Sequence, residues 1–239
     1  LTAKNKLIRY LSIEAEDLFE KEAELLHMVQ SNALSQALLL WQAKSPTLVL
    51  PAGKKWPVSP TLIAELDASG WKLVSRKTGG APVPQLPGVI NLSHIYHWPE
   101  GLPYDIKTAY LHLCQILTHF FDDLGVSVNI HATPGSYCDG DYNLNIDNRK
   151  VVGTAQRVLL KKGGGQVVLS QACILLTGNM DDIVKPVQLC NRICNNPVQI
   201  RADVHTPLFE HIDHQPSVDT LFQKLTSAFL RSGPISSTG

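Results

Sequence analysis

Two side chains between Pro134 and Arg157 have the chemical types and the setting for acyl transfer. Cys138 lies in a loop flanked by glycines, and Lys150 opens the return strand of an apparent β-hairpin. A thiolate can carry an acyl group as a thioester, and an ammonium can stabilise the oxyanion that forms during attack. Asp139, next to the thiol, would raise its pKa, whereas Lys150 would lower it. His131, seven residues before Cys138, is a candidate base, although a histidine ending a strand reads more readily as structural.

The elements that must position this pair follow from local pattern. Tyr142, Leu144 and Ile146 alternate with Asn143, Asn145 and Asp147, the period of a half-buried strand, and Val151 to Leu160 supplies its partner. With Asn148-Arg149 as the turn, Lys150 shares a polar, ligand-directed face with Asn143, Asn145 and Thr154. Leu144, Ile146, Val151, Gly153 and Ala155 then occupy the core-directed face. Such a hairpin holds Tyr142 about 16–18 Å from its turn, so Cys138 reaches Lys150 only if its loop doubles back. Pro134-Gly135 and Asp139-Gly140 supply the breakers for that fold-back. The loop is expected to be mobile or displaced without substrate and to close on an acyl ligand.

Two linked segments give the chain a family likeness. Arg76-Lys-Thr-Gly-Gly80, followed by Gly88-Val-Ile-Asn91-Leu-Ser93, and the later Arg149-Lys150-Val-Val-Gly153-Thr154-Ala-Gln-Arg157 resemble the biotin/lipoate protein ligase catalytic-domain superfamily, over about Leu7 to Thr177. Asn148 stands where that superfamily usually has glycine. The Gly135-Ser-Tyr-Cys138 loop, followed by Tyr142-Asn-Leu144, is most similar to the cysteine-dependent octanoyltransferase and amidotransferase branch. Ala81, Pro82, Pro84 and Gln85 depart from the usual third glycine and histidine, and Gln171 stands where a histidine is usual. Those departures imply an altered pocket rim.

The resemblance implies a class II aminoacyl-tRNA synthetase-like α+β fold of mixed, mainly antiparallel sheets packed with helices. It implies Cys138 as nucleophile and Lys150 as the group holding the acyl carbonyl. Arg76, Thr78, Gly79, Gly80, Asn91, Ser93, Asn143, Gly153 and Thr154 would line the substrate site. Gly79-Gly80 precedes a strand and lacks a Gly-x-x-x-x-Gly-Lys-(Ser/Thr) pattern, so it reads as a pocket wall rather than a phosphate loop. Arg76 reads equally as an anion binder or as a cap for its own loop. The implied reaction moves an octanoyl or lipoyl group from acyl carrier protein or glycine cleavage H protein to the lysine of a lipoyl domain, in the H protein or a 2-oxoacid dehydrogenase E2 subunit. No cofactor is implied. An ATP-dependent lipoate ligase, using ATP and Mg through a lipoyl-adenylate, is the alternative; a non-catalytic lipoyl- or acyl-carrier-binding module is the second.

Bulk properties fit that class. The 239 residues carry 21 basic and 21 acidic side chains, a formal net charge of zero, which argues against a nucleic-acid-binding surface. No apolar run has the length of a membrane span, and no signal peptide is evident at the start, so a cytoplasmic protein is expected. Residues 1–231 read as one catalytic domain and 232–239 as a flexible tail.

The five cysteines do not suggest a disulfide framework. Cys190 and Cys194 read as helical neighbours rather than metal ligands, and no metal is expected. Cys114 and Cys173 read as small core side chains. His94, His97, His112, His119, His205, His211 and His214 show no spacing that defines a site. Strands are expected at Leu7 to Leu11, Ala37 to Trp41, Thr47 to Leu50, Trp71 to Ser75 and Val89 to Tyr96, with more through Leu176 and a turn at Gly163 to Gly165. Helices are expected at Ala15 to about Val29, Ser59 to Gly70, Asp105 to Gly125, Asp181 to Ile193 and Ser217 to Arg231.

Overall fold

The computed structural model describes residues 4–161 and 164–235. Gly163 of the expected glycine turn and residues 236–239 of the expected tail lie outside the described residues.

The architecture is α+β. A seven-stranded sheet has the order β1-β2-β6-β10-β9-β8-β7, built from β1 (Asn5–Ile13), β2 (Gln36–Ala43), β6 (Val89–His97), β7 (Asn129–Ile130), β8 (Leu144–Ile146), β9 (Arg149–Leu160) and β10 (Gln166–Leu175). Only its β1·β2 pair is parallel. A three-stranded sheet, β4-β3-β5, joins β3 (Thr47–Leu50) to β4 (Lys72–Ser75) in parallel and to β5 (Val83–Gln85) in antiparallel. The expected strands on either side of Lys44-Ser45-Pro46 therefore belong to different sheets.

Helices cover both faces of the large sheet because its central strands alternate between two apolar sets. Leu38, Leu40, Ile90 and Leu92 pack with α3 (Ile106–Asp122) and α5 (Val218–Ser232). Leu39, Trp41 and Ile95 face the other way, onto Leu18, Leu25 and Val29 of α1 (Ala15–Gln30). The small sheet packs with α2 (Pro60–Ala68) and α4 (Met180–Ile193) around Leu48, Leu62, Val184 and Val187. Helix starts follow the sequence signals: Ser59 Oγ accepts from Leu62 N–H ahead of Pro60, and Asp105 Oδ2 accepts from Thr108 N–H at 2.7 Å. Among the described residues no helix is long and apolar enough to cross a membrane.

The hairpin differs from the sequence reading in register. Its turn is Asp147-Asn148, with φ of 48° and 61°, the paired left-handed angles of a tight hairpin. Ile146 thus pairs with Arg149, Asn145 with Lys150 and Leu144 with Val152. One residue of β8 faces two of β9 at this shift, a bulge at Val151 that re-aims the lysine. A Cβ added at Gly153 would lie 3.2 Å from both Cε and Nζ of Lys150. Gly153 therefore belongs to the lysine's side of the strand and not to the core face.

Candidate active site

Three hydrogen bonds fold the cysteine loop back onto the hairpin that carries Lys150. Asn143 Nδ2 donates to the Cys138 carbonyl at 3.0 Å, Asp139 Oδ1 accepts from Thr133 N–H at 2.6 Å, and Thr133 Oγ1 donates to Asn145 Oδ1 at 2.6 Å. Asn143 and Asn145 are fully buried. Asn143 and Asn145 are thus directed at the cysteine loop and brace it, which corrects their reading as ligand-facing, whereas Lys150 and Thr154 of the same expected face line the cavity. β8 is also only three residues long, so the distance to be recrossed is short.

Lys150 is 1% exposed. Its ammonium donates to the carbonyls of Tyr137 and Cys138, the second at 3.0 Å, and lies 4.6 Å from the centroid of the Tyr137 ring. Two of its three N–H groups are occupied in this way, which leaves one to face the cavity. Burial lowers its pKa from the ordinary lysine value, an effect opposed by Cys138, Cys173 and Asp139. His205, without distinguishing spacing in the sequence, stacks 4.7 Å from Tyr137 and bridges to Lys150 through the backbone. Desolvation, with Lys150 nearby, brings the His205 pKa down to about 4. His131 turns Nδ1 to its neighbour's carbonyl, Ala132 O, at 2.7 Å.

Cys138 sits at φ 54°, a left-handed angle that a β-carbon disfavours, and such strain gathers at functional sites. Opposite it is Gly80, at φ 107°, where an added Cβ would come within 3.1 Å of both Cys138 Sγ and Arg76 Nη2. The absent side chain is what leaves room beside the thiol. Gly80→Ala is expected to cost about 1–3 kcal/mol of stability through backbone strain and to slow acylation of Cys138. Chemical denaturation and the rate of adduct formation are the measurements.

The thiol and the lysine open onto a cavity with apolar walls from Phe19, Trp41, Val49 and Val83. Asn91, Ser93, Gly153, Thr154 and Arg76 also line it. Thr154 Oγ1 donates to Tyr142 O at 2.9 Å. Asn91 and Gln85 exchange two amide hydrogen bonds of 2.8 and 2.9 Å, so the departure at Gln85 is a structured part of the rim. Pro84 is tolerated beside it because β5 is an edge strand. Arg76 donates to the carbonyls of Gly79 at 2.8 Å and Ala81 at 3.0 Å, the geometry of a loop cap. Gly79 itself is exposed and lines a neighbouring cleft. Cys173, expected in the core, instead forms part of the cavity wall, where Gln85 Nε2 donates to its sulfur at 3.5 Å. Burial pushes that thiol up to about 11. Among the described residues no group of three or more His, Cys, Asp or Glu is placed to hold a metal ion.

Glu22 was not legible as a site residue. It is buried, and its Oε2 accepts from Ser93 Oγ at 2.6 Å and from Gln171 Nε2 at 2.7 Å, while Thr78 Oγ1 donates to Gln171 Oε1 at 2.9 Å. This chain ties α1 through β10 to the Gly79-Gly80 loop. Its one sequence signal was an acidic residue midway between Leu18 and Leu26 on an apolar helix face. Desolvation raises the Glu22 pKa, against hydrogen bonds from Ser93 and Gln171. A carboxyl raised in the folded state stabilises fully below its unfolded pKa and loses that contribution as pH rises through the folded value. Glu22→Gln, which keeps an accepting oxygen, is therefore expected to stabilise the chain at about pH 7, with the gain vanishing by about pH 4. Denaturant midpoints across that range are the check.

The profile of the lipoyl protein ligase A/B catalytic domain matches residues 14–230. An uncharacterised protein of Cupriavidus necator is 32% identical over 186 residues, 72% of this chain and 70% of that one. The octanoyl-[GcvH]:protein N-octanoyltransferase of Anoxybacillus flavithermus is 27% identical over 164 residues, 68% of this chain. The match spans only 57% of that enzyme's length. A lipoate-protein ligase A bound with ATP superposes with a TM-score of 0.72 over 97% of this chain and 85% of that one, at 14% identity, a likeness of fold.

Proposed function

We propose that this chain, a member of the lipoyl protein ligase A/B catalytic-domain family, is a cysteine-dependent acyltransferase that carries an octanoyl or lipoyl group on Cys138. The observation supporting this most is that the strained, Gly80-flanked Cys138, its carbonyl held by the buried Lys150 ammonium, lines the same apolar cavity as that lysine. The donor is acyl carrier protein or glycine cleavage H protein, and the acceptor is the lysine of a lipoyl domain. The octanoyl-[GcvH] transferases among its relatives support that choice.

The acyl tail lies between Trp41, Phe19, Val49 and Val83, burying its methylenes at about 0.8 kcal/mol each. Its carbonyl oxygen takes the third N–H of Lys150. As Cys138 sulfur bonds to the carbonyl carbon, negative charge develops on that oxygen, and the lysine already in place stabilises it without reorganisation. The bond to the donor's sulfur or nitrogen then breaks, and the leaving group departs with a proton. Arg76, Gln171 and Asn91 hold the walls that set this geometry. Neither nucleotide nor metal enters these steps.

The deciding assay gives the chain octanoyl acyl carrier protein or octanoyl H protein with an unmodified lipoyl domain and no ATP. A parallel arm supplies free lipoate with Mg-ATP. Octanoyl transfer in the first arm is expected. Product in the second arm alone would establish the adenylate-forming ligase instead, and binding without product in either would establish a carrier-binding module.

A further inference from the structure

Cys138 stands between two cavities. Cys138, Thr154 and Ala155 line the inner acyl cavity and also an outer cleft. Two oxygens of residues lining that cleft are buried and have no hydrogen-bond partner among the described residues: Ser136 Oγ and Gln156 Oε1. Ser136 is 2% exposed. Gln156 directs its Nε2 to the Tyr104 hydroxyl, so the atom left without a partner is an acceptor. Asp139 adds a carboxylate to the same cleft, one oxygen of which takes the Thr133 N–H.

An amide oxygen, a hydroxyl and a carboxylate among the residues of one cleft complement a group that only donates. A protonated primary amine has three N–H donors and no acceptor. Pro82, Tyr110 and Val198 offer apolar surface for the methylenes that would carry it. Lys55, a cation of the cleft wall, is held 4.7 Å from the centroid of Trp56, whose Nε1 donates to Asn191 Oδ1.

We infer that the outer cleft receives the acceptor's lysine, with Gln156 Oε1, Ser136 Oγ and Asp139 as the acceptors that position its nitrogen, a role that rests on the transferase reading above. The ammonium gives one proton to solvent before attack. Its nitrogen then bonds to the acyl carbon, the C–S bond to Cys138 breaks, and a second proton passes from nitrogen to the departing thiolate. Acylation and amine capture thus use opposite sides of one sulfur.

The test loads Cys138 with octanoyl and offers the acyl-enzyme an unmodified lipoyl domain and hydroxylamine together. Hydroxylamine is uncharged near neutrality and needs no ammonium site. Gln156→Met is expected to shift the product ratio against the lysine by about tenfold or more, as loss of one hydrogen bond to a charged group would. Gln156→Glu reverses the Tyr104 contact, the hydroxyl then donating to the carboxylate, and keeps an accepting oxygen for the ammonium, so its ratio should stay near the parent's. Parent-like ratios in both variants, or an equal shift in both, would overturn the inference while the acyl-enzyme stands. Failure of the parent chain to acquire octanoyl at all would overturn the transferase reading and this inference with it.

Discussion

Lys150→Ala is expected to lower the rate of acyl transfer by about two to three powers of ten, the loss that follows removal of one oxyanion donor. The sequence alone predicts little effect on folding. The structure changes that expectation, because the ammonium is buried and holds the carbonyls of Tyr137 and Cys138. Leaving the buried Tyr137 carbonyl unpaired costs about 1–3 kcal/mol, while the Cys138 carbonyl keeps its hydrogen bond from Asn143, so the variant should also unfold at lower denaturant. Lys150→Met, which keeps the packing along Gly153, separates the two effects. Single-turnover acylation, measured well below the unfolding midpoint of each variant, is the readout. A rate equal to the parent's in either folded variant would remove the lysine from the mechanism.

The contact between loop and lysine also shows where sequence reading reaches its limit. Cys138 and Lys150 were legible as a pair because of residue type and motif, and the breakers at Gly135 and Gly140 announced a loop able to double back. What brings the two together is a bulge at Val151 and two buried asparagines, and neither has a period or composition of its own. Alternation along residues 142 to 147 predicts a strand correctly but does not fix its register. Moving the turn by one residue, to Asp147-Asn148, changes which side chains lie opposite each other. Amide exchange over residues 134 to 141, in the presence and absence of an octanoyl compound, tests the mobility expected of the loop that Lys150 holds.

The helices and central strands were legible for a simpler reason: long apolar periods and side-chain caps act locally. Ser59, Asp105 and Ser217 each accept from a backbone N–H in the first turn of the helix they precede. The strand β5 was not foreseen, because Val83-Pro84-Gln85 becomes a strand only through its pairing with Thr47 to Val49. Cys173 illustrates the same point from the side of the site. Its neighbours Ala172 and Ile174 are core residues, and only the pairing of β10 with β6 and β9 sets its sulfur beside Gln85 in the cavity wall. Local pattern identifies the element, and partner strands decide which residue of it meets the substrate.

Cys138→Ala carries the largest expected effect. Nucleophilic catalysis requires a thioester on this residue, so the parent chain mixed with octanoyl carrier protein and no acceptor should gain one octanoyl mass, labile to hydroxylamine. The alanine variant should gain none and transfer none. Cys114→Ala gives the contrast: Cys114 is fully enclosed among Leu113, Leu117 and Phe121, and burial pushes its thiol up to about 12, so its loss should affect stability and spare the adduct. Cys173→Ala is the more demanding control, because its sulfur lines the same cavity as Cys138 and stands near the same lysine. An octanoyl adduct retained by Cys138→Ala but lost by Cys173→Ala would move the nucleophile across the pocket. Full transfer by Cys138→Ala that depended on ATP would assign the site to adenylate chemistry, since an activated acyl-adenylate needs Lys150 to hold its carbonyl and no thiol to carry it.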